Sequence, residues 1–409
     1  MIDPTYRWTT VDGTRRRTEI ISALRRGDAD WPFLLEGFAG VKEITNGRDL
    51  RGIDLSGLDL SGISLDRVHL EQSRLDGANL SQACLKYAII RESSLQRCNF
   101  ERADATGTDF QGSNLNASNF VETRVKGARL SECVLSGTDF SKADLYGSDL
   151  RNALMTGASM REANANFASL SGVHAEGLIA NRASFKKSNW YKATLNDANF
   201  TESAFTEADL SNVKAQRANF ERADLNRAKF KESDLSGARL IGVGAANAVF
   251  SRSVLSRTDF SSAQLDDAVF NNVFAHESAC FGNVHASRIN FNASILSGSA
   301  FTGSVMDEAI LAKASLNSCD FSNVSMPRVN CNETQFIHAK LTHADLTGAC
   351  LLDAVMRQAD LSHANLTSTK LTSEMIFSAT IEGAMIPQDA ADFIEDCATV
   401  GFPVYAPQM

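Results

Sequence analysis

The chain has 409 residues, 44% of them apolar and 22% charged, with a formal net charge of −9. No apolar run approaches the roughly 18 residues that cross a bilayer, and the opening MIDPTYRWTTVDGTRRR has no apolar core of signal-peptide length, so a soluble, cytoplasmic protein is expected. Six prolines and five tyrosines stand against 24 phenylalanines, a skew that suggests Phe fills a repeated structural slot.

Residues 1–45 read as a helical cap. TRRRTEIISALRRGD has helical spacing at Ile20, Ile21 and Leu24. In the following DWPFLLEGF, Asp30 is placed as an N-cap and Pro32 in the first turn. Trp31, Phe33, Leu34 and Phe38 are expected to plug the end of whatever follows. Five arginines, Arg15, Arg16, Arg17, Arg25 and Arg26, share this segment. They suit an acidic partner or nucleic acid, but acids offset them and residues 1–45 sum to zero, so a solvated face is the preferred reading.

Residues 46–371 carry a period of five. Every fifth residue from Leu50 to Ala275 is apolar, 46 positions in all, and after a one-residue slip within HESACF so are the 19 positions from Phe281 to Leu371. The residue two before each centre is mostly Ala, Ser, Thr, Cys or Val, as at Ala78 and Thr258. Asp or Asn often precedes the centre, and Gly recurs two after it, as at Gly57 and Gly147. A helix of 3.6 residues per turn and a strand of period two both fail to produce this pattern. A square coil produces it: each five-residue side turns its centre and its minus-two residue inward, and four such sides close one coil. Successive coils pair backbone to backbone at about 4.8 Å. One large and one small apolar residue per side fill the bore, and Gly and Asx suit the corners.

A spacing of 20 predicts ladders of like residues. Phe100, Phe120, Phe140, Phe200, Phe220 and Phe260 fall on one side, and Phe110, Trp190, Phe230, Phe250 and Phe270 on the opposite one. Phe281, Phe301 and Phe321 continue the first ladder if the slip is a bulge that keeps the side count, so the slip near 276–281 is read as a bulge and not a boundary. SGVHAEGLIAN, residues 171–181, offers Ala175 and Ala180 as centres beside Leu178 and Ile179, and a distorted coil or small protrusion is expected there.

Residues 372–409 hold six acids and no Lys or Arg. PQDAADFIEDCATVGF begins with Pro387 and ends near Gly401, the frame of a cap helix. Phe393, Ile394, Phe402 and Tyr405 are the expected contacts with a partner or a second copy of the chain.

The units ADLYG, ANFER, ADLNR, ADLTG and ANLTS resemble the pentapeptide-repeat family over residues 46–371. The resemblance implies an all-β solenoid, a right-handed quadrilateral β-helix. With helical caps at both ends it would have about 16 coils and a length of about 75–80 Å at one strand spacing per coil. It also implies a type of function, since the best-known members protect bacterial DNA gyrase from quinolones as rods that copy the width and charge of duplex DNA. A type II topoisomerase is therefore the leading candidate partner, and a homodimer through the C-terminal segment is an associated expectation. A scaffold, spacer, effector or immunity-type protein acting on another protein is the alternative. Residues 46–371 carry 33 basic and 36 acidic side chains, so the repeat is a weak electrostatic copy of a polyanion.

No phosphate loop, nucleophile elbow or HExxH is present, and no catalytic residue, cofactor or metal is assigned. Asp266 and Asp267 read as solvated corner residues. His343 and His363, 20 apart, read as a stacked polar column with His338 one side away. The eight cysteines, Cys84, Cys98, Cys133, Cys280, Cys319, Cys331, Cys350 and Cys397, contain no CxxC pair and read as reduced packing residues.

Overall fold

The computed structural model describes residues 4–28, 30–41 and 48–390. The chain forms two compact units, Met1–Ala204 and Phe205–Met409, and each is a right-handed quadrilateral β-helix. In the first unit, parallel bridges run from Asp49↔His69 to Ser184↔Ala204 with a constant offset of 20. In the second they run from Asp209↔Lys229 to Asn365↔Met385.

Each five-residue side uses its backbone in the same way. The centre and the residue two after it donate to the next coil, as in Leu80 N–H to Asn99 O at 2.7 Å and Gln82 N–H to Glu101 O at 2.8 Å. The residue before the centre donates back, as in Asn99 N–H to Ala78 O at 3.0 Å. The centre's carbonyl accepts from the residue three on, as in Ala78 N–H to Leu75 O at 2.8 Å, and this closes a type II turn at the corner. Such a turn needs a left-handed residue at its third position. Glycines such as Gly77 fill it, but so do 46 described non-glycine residues with φ between 53° and 61°. None is Val, Ile or Thr, because a β-branched side chain crowds the backbone there.

The bore is filled by side chains. Centres from Leu50 to Leu366 are at most 5% exposed, and Leu371 is only partly covered. Inward Ser and Thr at the minus-two slot are satisfied by carbonyls of the preceding coil, as in Thr108 Oγ1 to Leu85 O and Thr123 Oγ1 to Phe100 O at 2.6 Å, or by the carbonyl three residues earlier, as in Ser253 Oγ to Phe250 O at 2.6 Å.

The expected distortion at 171–181 is absent. Gly172 and Gly177 donate regularly to Tyr191 O and Asn196 O, both at 2.9 Å. Leu178 is buried at the minus-two slot beside the small centre Ala180, so the large and small residues have exchanged places and the bore stays full.

In the first unit, helix α1 (Val11–Arg25) is capped by the Thr10 hydroxyl, which accepts from Gly13 N–H at 3.0 Å. Gly13 is needed at that point, since a Cβ would collide with the Arg7 carbonyl. A 3-10 turn at Trp31–Leu35 follows, with Pro32 near its start; Asp30 makes no side-chain cap bond. Trp31, Leu35 and Phe38 are buried, whereas Phe33 is 66% exposed and does not plug the first coil. A turn of about three residues cannot bury Phe33 and Leu35 on one side, and Leu35 takes the inward place.

In the second unit, helix α2 (Ser373–Ser378) takes the place of two sides, burying Met375 and Ile376. Coil pairing then resumes with Asp360↔Thr380 and Asn365↔Met385, so the ladder reaches beyond residue 371. Residues 388–390 are helical, and the rest of the expected cap helix lies outside the described residues.

Candidate interaction surface

The aromatic centres lie inside. Phe100, Phe120 and Phe140 stack at 4.4 and 4.8 Å, and Phe110 meets the first two edge-on at 6.0 and 6.1 Å. Trp190 meets Phe200 edge-on at 5.9 Å. In the second unit Phe230, Phe250 and Phe270 stack at 5.1 and 4.5 Å. Phe220 meets Phe230 edge-on, as Phe260 does Phe250 and Phe270. All are 0% exposed and none can touch a partner. Phe393, Ile394, Phe402 and Tyr405 lie outside the described residues.

The outer surface is therefore where recognition can occur, and much of it is self-paired. Left-handed corner residues one coil apart bind each other, as Arg102 does Glu122 and Arg182 does Glu202, both at 2.8 Å. Arg288 holds Asp267 at 2.7 Å and Arg328 holds Glu308 at 3.1 Å in the second unit. Such pairs leave a mark on titration: the Arg102 guanidinium holds the Glu122 carboxyl below the usual range, and within one side the Arg151 guanidinium does the same to Asp149. Asn79, Asn99 and Asn119 form an outward amide ladder, Nδ2 to Oδ1, at 3.2 and 3.0 Å.

The N-terminal arginines act locally. Arg17 and Arg25 donate to Asp54 O and Asp59 O at 2.5 and 3.3 Å, Arg16 donates to Leu34 O, and Arg15 pairs with Asp12 and Glu19. Arg7 is buried with Asp49 at 2.7 Å and lies over the Trp8 and Phe38 rings. Arg7, which also donates to Asp49 O at 2.9 Å, thus joins Arg17 and Arg25 in covering carbonyls at the edge of the first coils, a cap on an otherwise open edge.

His343 and His363 stack at 4.9 Å with an interplanar angle of 11°, and among the described residues no group of three or more His, Cys, Asp or Glu could hold a metal. The seven described cysteines are free. Burial pushes the thiols of Cys98, Cys133 and Cys319 up to about 12.

Large exposed rings are concentrated at corners of the first unit. Tyr87 is 56% exposed, with Arg67 5.8 Å above its ring. Tyr146 and Phe167 touch at 5.3 Å, Lys187 lies 5.9 Å from the Phe167 ring, and Lys192 lies 5.2 Å from that of Tyr191. An aromatic residue in the corner slot two after a centre, as at Tyr87 and Phe167, is the sequence signal for such exposed rings.

The description "Pentapeptide repeats" matches residues 53–92, 83–120, 118–157, 138–177, 181–214, 203–242, 233–272, 287–323, 314–351 and 339–373. The stretches left out, 178–180 and 273–286, contain the exchanged Leu178–Ala180 pair and the one-residue slip. Among solved structures, the chain is similar to QnrB1, a plasmid-mediated fluoroquinolone resistance protein, at 20% identity over 51% of this chain and 95% of that one, TM-score 0.30. HetL, involved in heterocyst differentiation regulation in the cyanobacterium Nostoc, is 20% identical over 76% of this chain and 88% of that one, TM-score 0.15. A pentapeptide repeat protein of the Arabidopsis thaliana thylakoid lumen is 27% identical over 35% and 73%, TM-score 0.14. None of these likenesses carries a residue role to this chain. No curated protein matches it in sequence. No helix of the described residues is long and apolar enough to cross a membrane.

Proposed function

The chain belongs to the pentapeptide-repeat family, and on that premise we propose that it is a non-enzymatic protein that works by binding a protein partner on its outer surface. The observation that carries this reading is the filled bore: with every centre from Leu50 to Leu366 buried, the side chains left for recognition are those at corners and on the outer rows. The candidate partner is a type II topoisomerase, DNA gyrase, which sets the protein in a bacterial cytoplasm; the family resemblance supports this choice. A copy of DNA would need rows of unpaired carboxylates, whereas Glu122, Glu202, Asp267 and Glu308 are each held by an arginine. We therefore rest the topoisomerase reading on shaped contacts and not on charge mimicry.

The test is gyrase supercoiling in vitro, with and without a quinolone, titrating the full chain against a 1–390 truncation. The cut is set at 390 because Thr380 and Met385 still pair with the preceding coil. Inhibition of supercoiling or rescue from the drug supports the reading, and no effect at micromolar protein sinks gyrase as the partner. The residues removed include Phe393, Ile394, Phe402 and Tyr405, the proposed dimer contact. Sedimentation of the two forms tests that role, and equal mass in both would remove it.

A further inference from the structure

In the second unit, one corner runs through the left-handed slots Gly303, Asn323, His343, His363 and Gly383, one per coil. Side chains in these slots reach toward the slot one coil later, as Asn283 does toward Gly303 and His363 toward Gly383. That lean sets the His343 ring parallel to the His363 ring, 4.9 Å apart with an interplanar angle of 11°. A Cβ at Gly383 would stand 2.5 Å from His363 Nδ1 and 2.8 Å from its Cε1, so glycine there leaves the ring its place. Both histidines are exposed. The carboxylates on the flanking sides are turned to their own corners: Asp345 accepts from Thr347 N–H and Asp360 from Ser362 N–H, both at 3.0 Å. Neither imidazole has a hydrogen-bond or ion-pair partner among the described residues. Other histidines differ: His69 pairs with Glu71 at 3.3 Å, and His276 packs edge-on against Phe274 at 4.0 Å. An exposed stack adds little to coil stability, but it fixes the nitrogens of two imidazoles about one strand spacing apart.

We propose that His343 and His363 form a two-histidine site for a divalent transition metal ion of the Cu2+ or Ni2+ type. Imidazole nitrogen suits these ions, and Cu2+ and Ni2+ stand high in the affinity order of divalent metals. One nitrogen from each ring binds the ion at about 2.0–2.1 Å, the usual metal–imidazole length, which the rings reach by tilting their outer edges together. Once one ring has bound, the second is already held alongside by the coil, so its binding is intramolecular. No third described His, Cys, Asp or Glu completes the set, so water fills the remaining positions and the site stays open to solvent. A bound ion clasps two successive coils at this corner. The inference goes beyond the protein-binding reading and does not depend on it.

The test uses the full chain, with Ni2+ titrated by calorimetry and bound Cu2+ read by electron paramagnetic resonance. Wild type is expected to bind Ni2+ at micromolar concentration and to gain Tm as Ni2+ is added. His343→Asn and His363→Asn should each weaken binding about tenfold or more, because each leaves a single imidazole. Asn accepts the left-handed conformation, so both variants should keep the circular dichroism and Tm of the metal-free wild type. His338→Asn, which removes a lone histidine from the same kind of slot at φ 58°, should change affinity less than about twofold. The nitrogen splitting of the Cu2+ spectrum should report two imidazoles in wild type and one in either variant of the pair. No binding below millimolar Ni2+, an equal loss in His338→Asn, or a wild-type spectrum with a single imidazole would overturn the proposal. Binding unchanged in both His343→Asn and His363→Asn would assign the ion to other groups, the cysteines first, and would overturn it as well.

Discussion

Phe260 and Phe281 lie parallel at 5.1 Å with an interplanar angle of 4°, although the chain between them is one residue longer than a regular coil. Phe281 and Phe301, one regular coil apart, stack in the same way at 5.0 Å and 4°. Between Asp259↔Cys280 and Phe274↔Ile295 the bridge offset is 21, and from Cys280↔Ala300 it is 20 again. The extra residue is absorbed within His276, Glu277 and Ser278, which are exposed, while Ala275 and Ala279 on either side stay buried.

That geometry makes the slip removable. Deleting Ser278 should leave the ladder intact and shift Tm by only a few degrees, about 1 kcal/mol or less. Deleting Ser141, at an ordinary corner after Phe140, should lower Tm far more, because each later centre would turn to the wrong side. Equal losses in the two deletions, measured by thermal unfolding, would show that the bulge is structural.

The buried ladder sets the largest single-residue effects. Phe220 is 0% exposed and meets Phe205 and Phe230 edge-on at 5.8 and 5.7 Å. Phe220→Ala should cost about 3–5 kcal/mol. Phe220→Lys should unfold or aggregate the protein, since an unpaired ammonium would enter the bore. A soluble, fully folded Phe220→Lys chain would refute the inside–outside assignment.

The left-handed corner slot predicts an unusual order of substitutions. At Ser262, φ 60°, replacement by Gly should be neutral or stabilise by a few tenths of a kcal/mol. Replacement by Val should destabilise by about 1–2 kcal/mol. Chemical denaturation of the two variants checks the order, and a Val variant as stable as the Gly variant would contradict the corner conformation.

Acid should destabilise the coils in a defined window. In Asp149 the Arg151 hydrogen bond outweighs burial and lowers the folded pKa; in Asp267 the Arg288 hydrogen bond does the same. A carboxyl with a depressed folded pKa contributes stability above its unfolded value, near 3.9, and loses it as pH falls through the folded one. Tm should be nearly constant from about pH 7 to 5 and fall below about pH 4, with a shallower fall in Asp149→Asn. A Tm that rises toward pH 3 would reverse the sign.

Thiol reactivity should divide by slot. Cys350 is exposed, whereas Cys98, Cys133 and Cys319 are buried with thiols pushed up to about 12, and Cys331 is pushed higher still by burial. At pH 8 a disulfide reagent should modify Cys350 rapidly and leave those four until the chain unfolds. Mass spectrometry of the labelled native protein reads the outcome, and rapid labelling of Cys133 would show an open coil.

The five-residue period is a property of the chain alone, and it was enough to place Leu50, Phe100 and Phe281 inward and to recognise the slip before Phe281. Backbone pairing from coil to coil follows once four equal sides close, because each side must satisfy its own N–H and C=O groups against the next coil. The preference for Gly two after each centre was legible too, but the exclusion of β-branched residues there takes its meaning only from the left-handed φ of that slot. The tertiary structure alone decided which corner charges pair, that Arg17 and Arg25 cover coil-edge carbonyls, that Leu35 and not Phe33 turns inward, and that Leu178 and Ala180 trade volume. It also decided that the Phe167 ring meets Tyr146 and Lys187. Those relationships join residues whose spacing follows no local rule, or depend on the exact volume of a bore, and a hydrophobic period carries no information about either.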